Sequence, residues 1–382
     1  MMKIIGIGVI AFLFFGLQRY IYQRSWNKNL AVRIEFTSPG IFQGEEGELQ
    51  EIVENHKRLP LPLLHVKFQT SRNLEFSDEV GSSTTDKFYH NDIFQVGGGE
   101  KITRTLTFTG KKRGYYKIDN IGLEGTDLFF TSQMTENRET DRYFYVYPKP
   151  LDTEEMRQSL KQLNGEVLVR RHWQEDPFEY RGIREYQSYD DIRNVNWKAT
   201  AKTDELKVNQ KNYTALQVIR IFFNIEDVGI LKKYDAVEAA FGIVVGLAEN
   251  FLRQGISVAV YGNGQDLISG EQVVIESSAG RGQLERIYKA LARVDAERPA
   301  VSFADTFGEV LMQTNGSTQT IVVSPNGYDD FLELLHKYQA TGQEYVWFYP
   351  VWESEEPQLP EWIKAHTRVL HLKERERSRK LS

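Results

Sequence analysis

The chain of 382 residues contains no cysteine. Disulfides, thiol nucleophiles, iron–sulfur ligation and zinc–thiolate sites are therefore excluded. The chain also lacks an excess of basic residues, since 47 lysines and arginines stand against 53 acidic residues and the formal net charge is −6. This balance argues against a general nucleic-acid-binding protein. The 41% of hydrophobic residues is typical of a folded globular chain with room for two or three domains.

Several catalytic motifs are missing as well. No H-E-x-x-H run supplies the ligands of a zinc protease, and no G-x-S-x-G marks a nucleophile elbow. The segment GKKRG at 110–114 lacks the spacing of a phosphate-binding loop and is better interpreted as a turn between strands. The sequence therefore predicts no cofactor, identifies no catalytic residue and favours a protein that is not an enzyme.

One apolar run is long enough to matter for the membrane. Ile4–Leu17 contains no charge, and continuing through residue 22 gives the roughly 20 residues that span a bilayer. We expect residues 4–22 to contact the bilayer, with Arg19 snorkelling to the surface. The alternative, a cleaved signal peptide, lacks an A-x-A-like cleavage site. The aromatic residues that suit the interfacial belt are Tyr20, Tyr22 and Trp26.

The charges that flank this run predict its orientation. Only Lys3 and the amino terminus precede the span. The positive-inside tendency then predicts a single-pass protein of the plasma membrane with the bulk of the chain in the cytoplasm. The basic residues on the carboxyl side are Arg19, Arg24, Lys28 and Arg33.

The remaining sequence changes character twice. Residues 30–150 contain short, β-branched and aromatic segments that predict an antiparallel β-sandwich-like domain, with a looser stretch from Asp78 to Gly99. Residues 151–214 read as a linker helix followed by a polar segment. From 215 to 382, strands and helices alternate, which predicts an α/β domain with a mostly parallel sheet. With residues 1–29 as anchor and juxtamembrane segment, the fold class is α+β multidomain.

The polar segment Arg184–Val208 contains two adjacent carboxylates, Asp190 and Asp191. Consecutive side chains of an extended chain point apart, which disfavours a shared proton and an acid/base pair. We expect one of the two to pair with Arg184 or Arg193, and Trp197 to anchor the loop in the core. A partner-binding surface and a hydrolase centre at Asp190 and Asp191 stay open as alternatives.

The order of residues in this segment resembles the signature of the Domain of Unknown Function 58 family, whose members are membrane-anchored bacterial proteins. The sequence departs from that pattern at Tyr189, Asn196 and Lys202. Two further stretches, Gly44–Phe68 and Lys112–Phe130, are similar to the β domain of the family and to its R-G-x-Y … D-x-F segment. The matching positions of the signature are Arg184, Glu185, Tyr186, Asp190, Asp191, Arg193, Trp197, Lys198, Ala199, Ala201, Leu206 and Val208.

The resemblance implies that the α/β part is similar to von Willebrand factor A domains, in which a D-x-S-x-S run after the first strand holds a metal ion. Here that position reads Asn224, Ile225, Glu226, Asp227, Val228, so the first Asp and both serines are replaced. The later strand ends at Ser324. We expect a degenerate site without a working metal, with an altered cation site that uses Glu226 and Asp227 as the alternative.

Three functional hypotheses follow. The first is a membrane-anchored, non-enzymatic scaffold, for which the resemblance implies a partner from the MoxR class of AAA+ ATPases. The second is a hydrolase that uses the Asp190/Asp191 loop. The third reverses the orientation and makes the chain an extracytoplasmic, cation-dependent adhesion-type module. The segment that bears the signature is the candidate site in the first two hypotheses, and residues 224–227 with Ser324 are the candidate site in the third.

Overall fold

The structure is a computed structural model. It describes residues 2–77, 82–84, 87–173, 180–187, 190–211, 218–227, 229, 233–313, 318–355, 357 and 359–373. The chain forms two compact units, Met1–Lys149 and Pro150–Ser382. Two largely antiparallel sheets and one long helix make up the first unit, and a mixed sheet with parallel strands and helices makes up most of the second. The coarse α and β content expected from the sequence is therefore confirmed.

The first unit contains one long helix and ten strands among the described residues. Its elements in chain order are α1 (Met2–Ser25), β1 (Leu30–Phe36), β2 (Gly40–Phe42), β3 (Glu46–Asn55), β4 (Leu61–Ser71), β5 (Leu74–Phe76), β6 (Ser82–Thr84), β7 (Lys87–Val96), β8 (Lys101–Gly110), β9 (Gly114–Thr126) and β10 (Gln133–Tyr147).

Two sheets form the β part of this unit. One has the strand order β1-β3-β8-β5 and the other β2-β10-β9-β4-β7-β6. Inward side chains from both sheets share one buried cluster, in which Leu49 and Val53 of β3 meet Phe88 and Phe94 of β7. Since alternate residues of a strand face the same side, the period-2 pattern of these strands builds the core.

Strand β7 corrects the expectation of a looser stretch from Asp78 to Gly99. Its inward positions are all buried, but two of them, His90 and Asp92, are polar and interrupt the apolar alternation by which a strand is recognised. Residues 78–81, 85 and 86 lie outside the described part of the chain. The turn at 97–99 is present, with Gly99 at a φ of 74°.

The carboxyl end of α1 belongs to the β core. Lys3–Ser25 is long and apolar enough to cross a membrane. Tyr22 and Trp26 are nevertheless buried in the sandwich cluster, and Tyr22 Oη donates to the carbonyl of Pro60 at 3.0 Å. Gly125 leaves room for the Trp26 ring, since a Cβ there would lie 2.6 Å from it. The expectation that Tyr22 and Trp26 lie in an interfacial belt is therefore wrong, because both rings fill space inside the protein.

The second unit contains the elements that follow Lys149. In chain order they are α2 (Glu154–Trp173), β11 (Tyr180–Glu185), a 3₁₀ turn (Ile192–Asn194), α3 (Trp197–Thr203), β12 (Lys207–Lys211), β13 (Val218–Phe223), α4 (Tyr234–Arg253), β14 (Ser257–Gln265), β15 (Gln272–Ser278), α5 (Arg281–Arg293), α6 (Phe303–Met312), β16 (Thr318–Val323), α7 (Asp329–Ala340), β17 (Tyr345–Trp352), α8 (Glu361–Lys364) and β18 (Thr367–Leu372).

The main sheet has the order β15-β14-β13-β16-β17-β18, with β15 antiparallel and the other neighbours parallel. Both faces are covered. Ile221 of β13 faces a core that includes α4 and α5, whereas Phe222 faces a second core that includes α6 and α7. This is the doubly wound arrangement that continuous apolar strands favour. Helix α2, interpreted from sequence as a linker, contributes Met156 and Leu163 to the first of these cores.

Candidate functional site

The segment that bears the signature forms a hairpin of its own. Within the described part of the chain, strands β11 and β12 form a two-stranded antiparallel sheet, which an isolated bridge between Val195 and Val208 extends. Arg184 makes a bidentate contact with Asp190, at 2.7 Å to Oδ2 and 2.6 Å to Oδ1. The backbone N–H of Gln187 donates to the same carboxylate at 2.8 Å. The Arg184 hydrogen bond holds the pKa of Asp190 below its usual value, so Asp190 closes this loop as an anion.

Asp191 has a separate role. Its carboxylate accepts the N–H of Arg193 at 3.0 Å and caps the 3₁₀ turn. The side chain of Asn196 caps α3 in the same way, accepting from Ala199 N at 2.9 Å. The two adjacent aspartates are thus committed to different local contacts, and no shared acid/base geometry arises between them.

Trp197 does not lie in the core. It begins α3, a helix of seven residues with no buried residue, and its side chain is 65% exposed. The expected anchoring role is therefore wrong, because α3 buries none of its residues and Val195 and Val208 supply the buried apolar contact of the hairpin instead. The other large apolar side chains that the hairpin exposes are Ile183, Ile192 and Leu206.

Three further candidate residues of the signature, Tyr186, Arg193 and Lys198, lie on the same hairpin and differ in exposure. Arg193 and Lys198 are exposed, beside Ile192 and Trp197 in sequence, and Tyr186 is half-buried. The backbone N–H of Tyr186 donates to the carbonyl of Leu206 at 2.9 Å and so extends the strand pairing. The hairpin therefore combines exposed apolar side chains with exposed charges of both signs, on a framework that Arg184 and Asp190 hold closed.

A second polar site lies where the order of the main sheet reverses. Asn224 follows β13 and Ser324 follows β16, and in doubly wound sheets the crevice between two such strand ends is the usual place for a ligand. Asn224 Nδ2 donates to Ser324 Oγ at 3.2 Å, and its Oδ1 accepts from Asn263 Nδ2 at 2.9 Å. All three side chains are fully buried. The neutral side chains satisfy one another's hydrogen-bonding groups, whereas a buried charged side chain at this position would need a counter-ion.

The two acids beside this network are engaged by protein donors. Glu226 Oε2 accepts the N–H of Phe303 at 3.0 Å, at the amino terminus of α6. Asp227 accepts from Tyr328 Oη at 2.9 Å and from the N–H of Lys233 at 2.7 Å. The two carboxylates thus point at separate donors. A hard cation would require them to converge on one centre.

Sequence reasoning missed a third polar cluster, which lies between the two sheets of the first unit. Ligating atoms of Glu51, His90 and Asp92 lie within 4.8 Å of one another, and all three residues are buried. Arg104 reaches Asp92 Oδ1 at 2.6 Å while its guanidinium lies over the Phe94 ring. The signal was present in the strand pattern, because Glu51 occupies an inward position between Leu49 and Val53.

Protonation explains how this cluster is accommodated. No hydrogen-bond donor in the described part of the chain reaches either oxygen of Glu51, which is fully buried. Burial, followed by the hydrogen bond and the charge of Asp92, raises the pKa of Glu51 to about 9. Burial also acts to raise the pKa of Asp92, but hydrogen bonds from Glu51 and Arg104 outweigh it and lower that pKa. We therefore expect Glu51 to be neutral and to donate its proton in a hydrogen bond to an ionised Asp92.

Comparison with known proteins identifies neither a family nor an activity. No family model matches the chain, and no curated protein matches it. Solved structures match at low similarity. They include a CARDB domain from Pyrococcus furiosus (16% identity, 29% of this chain and 90% of that chain, TM-score 0.19), the sporulation control protein Spo0M from Bacillus subtilis (12%, 42% and 58%, 0.19) and a non-cellulosomal cohesin from Archaeoglobus fulgidus (14%, 34% and 96%, 0.21).

Proposed function

We propose that the chain is a membrane-anchored, non-enzymatic scaffold that uses the signature hairpin to bind a protein partner. The observation that carries the proposal is the exposure of four large apolar side chains on one short hairpin, Ile183, Ile192, Trp197 and Leu206. Exposed apolar groups clustered on a small element are typical of interaction sites, and tryptophan and arginine are enriched where binding energy concentrates.

Charge narrows the kind of partner. The hairpin exposes the basic residues Arg193, Lys198 and Lys202 and the acidic residues Glu185, Asp191, Asp204 and Glu205. An apolar surface with charges of both signs around it favours a partner whose contact surface is apolar and carries the complementary charges, because complementary charge speeds association and excludes wrong partners. The resemblance to the Domain of Unknown Function 58 family implies an AAA+ ATPase of the MoxR class as this partner.

We infer further that the second unit is a von Willebrand factor A-like domain with a degenerate metal site. A doubly wound sheet with one antiparallel edge strand supports this, as do polar side chains at the switch point. Asn224 lies where the first acid of the metal motif is expected, and Glu226 and Asp227 are engaged by protein donors. On this proposal the domain acts as a binding module that needs no cation.

The proposed anchor is α1, with the bulk of the chain in the cytoplasm. The length and apolarity of Lys3–Ser25 support the anchor, and the basic residues after the span support the orientation. Protease protection in intact cells and in protoplasts tests the orientation. Digestion of the chain in intact cells would contradict a cytoplasmic location and favour the extracytoplasmic module.

The partner is tested by crosslinking tagged full-length chain in native membranes, with and without EDTA, and identifying the captured proteins by mass spectrometry. We expect an AAA+ ATPase in both conditions. Trp197→Ala and Ile192→Ser should reduce its recovery at least about tenfold, in keeping with loss of an interface hot spot. The matched control is Ile268→Ser, which changes an exposed isoleucine elsewhere in the same unit. Equal recovery from all variants, or no ATPase, would contradict the proposal.

The geometry gives the hydrolase hypothesis less support. Asp190 is an anion bound by Arg184, and Asp191 accepts a backbone N–H, so neither carboxylate is poised as a general acid. If the chain hydrolysed a substrate and Asp191→Asn abolished this turnover while the chain remained folded, the hydrolase hypothesis would be favoured over the scaffold.

A further inference from the structure

The turn between β9 and β10 exposes three consecutive large apolar residues. Leu128 is 43%, Phe129 45% and Phe130 62% exposed. Such a run is unfavourable in water, since large apolar side chains are stabilised when they leave water. It lies at one end of the β-sandwich, in the unit that also contains α1.

This turn is built around one buried carboxylate. Asp127 Oδ1 accepts the N–H of Thr131 at 2.6 Å and that of Ser132 at 3.3 Å, and its Oδ2 accepts from the Thr131 hydroxyl at 2.6 Å. The N–H of Phe130 donates to the backbone carbonyl of Asp127 at 3.1 Å. Asp127 is fully buried. The exposed apolar residues are therefore held in a defined turn and do not collapse onto the sheet.

The backbone at Phe130 is strained. Its φ is 59°, in the left-handed region that glycine and asparagine adopt more easily than an aromatic residue does. For a bulky aromatic residue this backbone conformation is energetically unfavourable. Strain of this kind often marks a functional site, because the side chain that causes it is needed there.

The turn lies against the membrane helix. The ring of Phe129 stacks on that of Phe15 at 5.4 Å and meets that of Phe14 edge to face at 6.3 Å. Gln18, one helical turn further along α1, donates to Asp127 Oδ2 at 3.0 Å. Because Phe14 and Phe15 lie inside the apolar run of α1, the turn occupies the same depth along the helix axis as residues expected in lipid.

We propose that the turn Leu128–Phe130 inserts into the bilayer beside α1 and is a second membrane contact of this protein. The inference rests on the proposed role of α1 as anchor. The occupant is lipid acyl chain at the membrane interface, since the apolar surface of the turn is continuous with that of Phe14 and Phe15. The buried Gln18–Asp127 hydrogen bond then fixes the sandwich to the helix, so that the unit meets the membrane at two points.

The absence of native cysteine makes a direct test possible. A single Leu128→Cys variant of the full-length chain, labelled with an environment-sensitive fluorophore, is reconstituted into vesicles of phosphatidylcholine and phosphatidylglycerol that contain acyl-chain-quencher lipids. Leu13→Cys in α1 reports the anchor independently, and Asp141→Cys, at an exposed position of β10 away from the turn, reports water. We expect Leu128→Cys to be quenched by the acyl-chain quencher, as Leu13→Cys is, and Asp141→Cys to be unaffected.

The labels at residues 13 and 128 separate the anchor from the insertion of the turn. Quenching at residue 13 with an aqueous signal at 128 would overturn the insertion of the turn while leaving the anchor intact. Aqueous signals at both residues would overturn the anchor and the turn together. A second variant, Phe130→Gly, should raise the melting temperature in detergent because it relieves the left-handed strain, and it should lower quenching at residue 128 severalfold. Unchanged quenching in this variant would contradict a role of Phe130 in lipid.

Discussion

Gln18 of helix α1 and Asp127 of the β-sandwich share a buried hydrogen bond of 3.0 Å, although they lie 109 residues apart in the chain. Both side chains are shielded from water, and Asp127 also organises the turn that follows β9. Such a buried polar pair is stable only when both partners stay in place. A buried polar group that loses its hydrogen-bond partner still carries the energetic cost of its removal from water. The helix and the sandwich therefore form one unit and not an anchor joined to a domain by a flexible tether.

Asp127→Asn is expected to destabilise the first unit by about 1–3 kcal/mol, because several hydrogen bonds to a charged acceptor are weakened. Burial acts to raise the pKa of Asp127, but the hydrogen bonds outweigh it and lower that pKa to about 2. Because the pKa of Asp127 is lower in the folded state, its ionised carboxylate stabilises the fold at any pH above the usual pKa of 3.8. This contribution to stability is lost as the pH falls from 3.8 towards 2. Thermal melting in detergent between pH 7 and pH 2 measures both effects, with Asp119→Asn on the exposed side of β9 as control.

Glu51→Gln tests the buried acid. The pKa of Glu51 is raised in the folded state, so its contribution to stability is fully present below the usual pKa of 4.5. This contribution is lost as the pH rises to about 9. The wild type should therefore weaken relative to Glu51→Gln across this range, by about 1.4 kcal/mol for each pH unit over which only the unfolded chain is ionised. The neighbours His90, Asp92 and Arg104 are common to both proteins.

Denaturation of these two proteins at pH 5 and pH 9 in the presence of EDTA gives the comparison. Glu48→Gln, an exposed position on the same strand, is the control. A difference between wild type and Glu51→Gln that does not change with pH would contradict a protonated Glu51.

Asn224→Ala is expected to cost at least about 2 kcal/mol, because Asn263 and the N–H of Glu226 lose a buried acceptor and Ser324 loses a donor. Urea unfolding of the full chain measures the loss. Asn120→Ala, at an exposed position of β9, should change stability by less than about 0.5 kcal/mol. A loss at Asn224 no larger than that of the control would contradict the amide network at the switch point.

Two tryptophans separate binding from stability. Trp197→Ala should change the free energy of unfolding by no more than about 0.5 kcal/mol, since the side chain is exposed. Trp347→Ala should cost about 3–5 kcal/mol, because its ring is fully buried and its indole N–H donates to the carbonyl of Ser324 at 3.1 Å. Chemical denaturation of both variants provides the test. A large loss at Trp197 would restore the core role expected from sequence.

The sequence predicted regular elements well where one pattern dominated. The alternation of strands and helices expected after residue 215 is present, from β13 through α4 to β18. Strand β15 was not expected, because this edge strand exposes Val274 and buries too few residues to give a clear alternation. Residues 215–217, at the start of the predicted α/β domain, lie outside the described part of the chain.

The candidate sites were predicted less well than the elements, for a physical reason. The Arg184–Asp190 pair was within reach of sequence reasoning because its partners are six residues apart. The environment of an aromatic side chain depends on tertiary contacts that no local pattern encodes, so Trp197 was assigned to the core and Trp26 to the membrane interface. Glu51 and His90 come together only through the pairing of two sheets.

The most direct test of the scaffold proposal replaces Trp197 with a photo-crosslinking phenylalanine analogue in the full-length chain and irradiates native membranes. We expect a covalent adduct between residue 197 and an AAA+ ATPase, and no such adduct when the same analogue replaces Ile268. Adducts at residue 197 with lipid alone, or an ATPase adduct of equal yield at residue 268, would contradict a docking role for the signature hairpin.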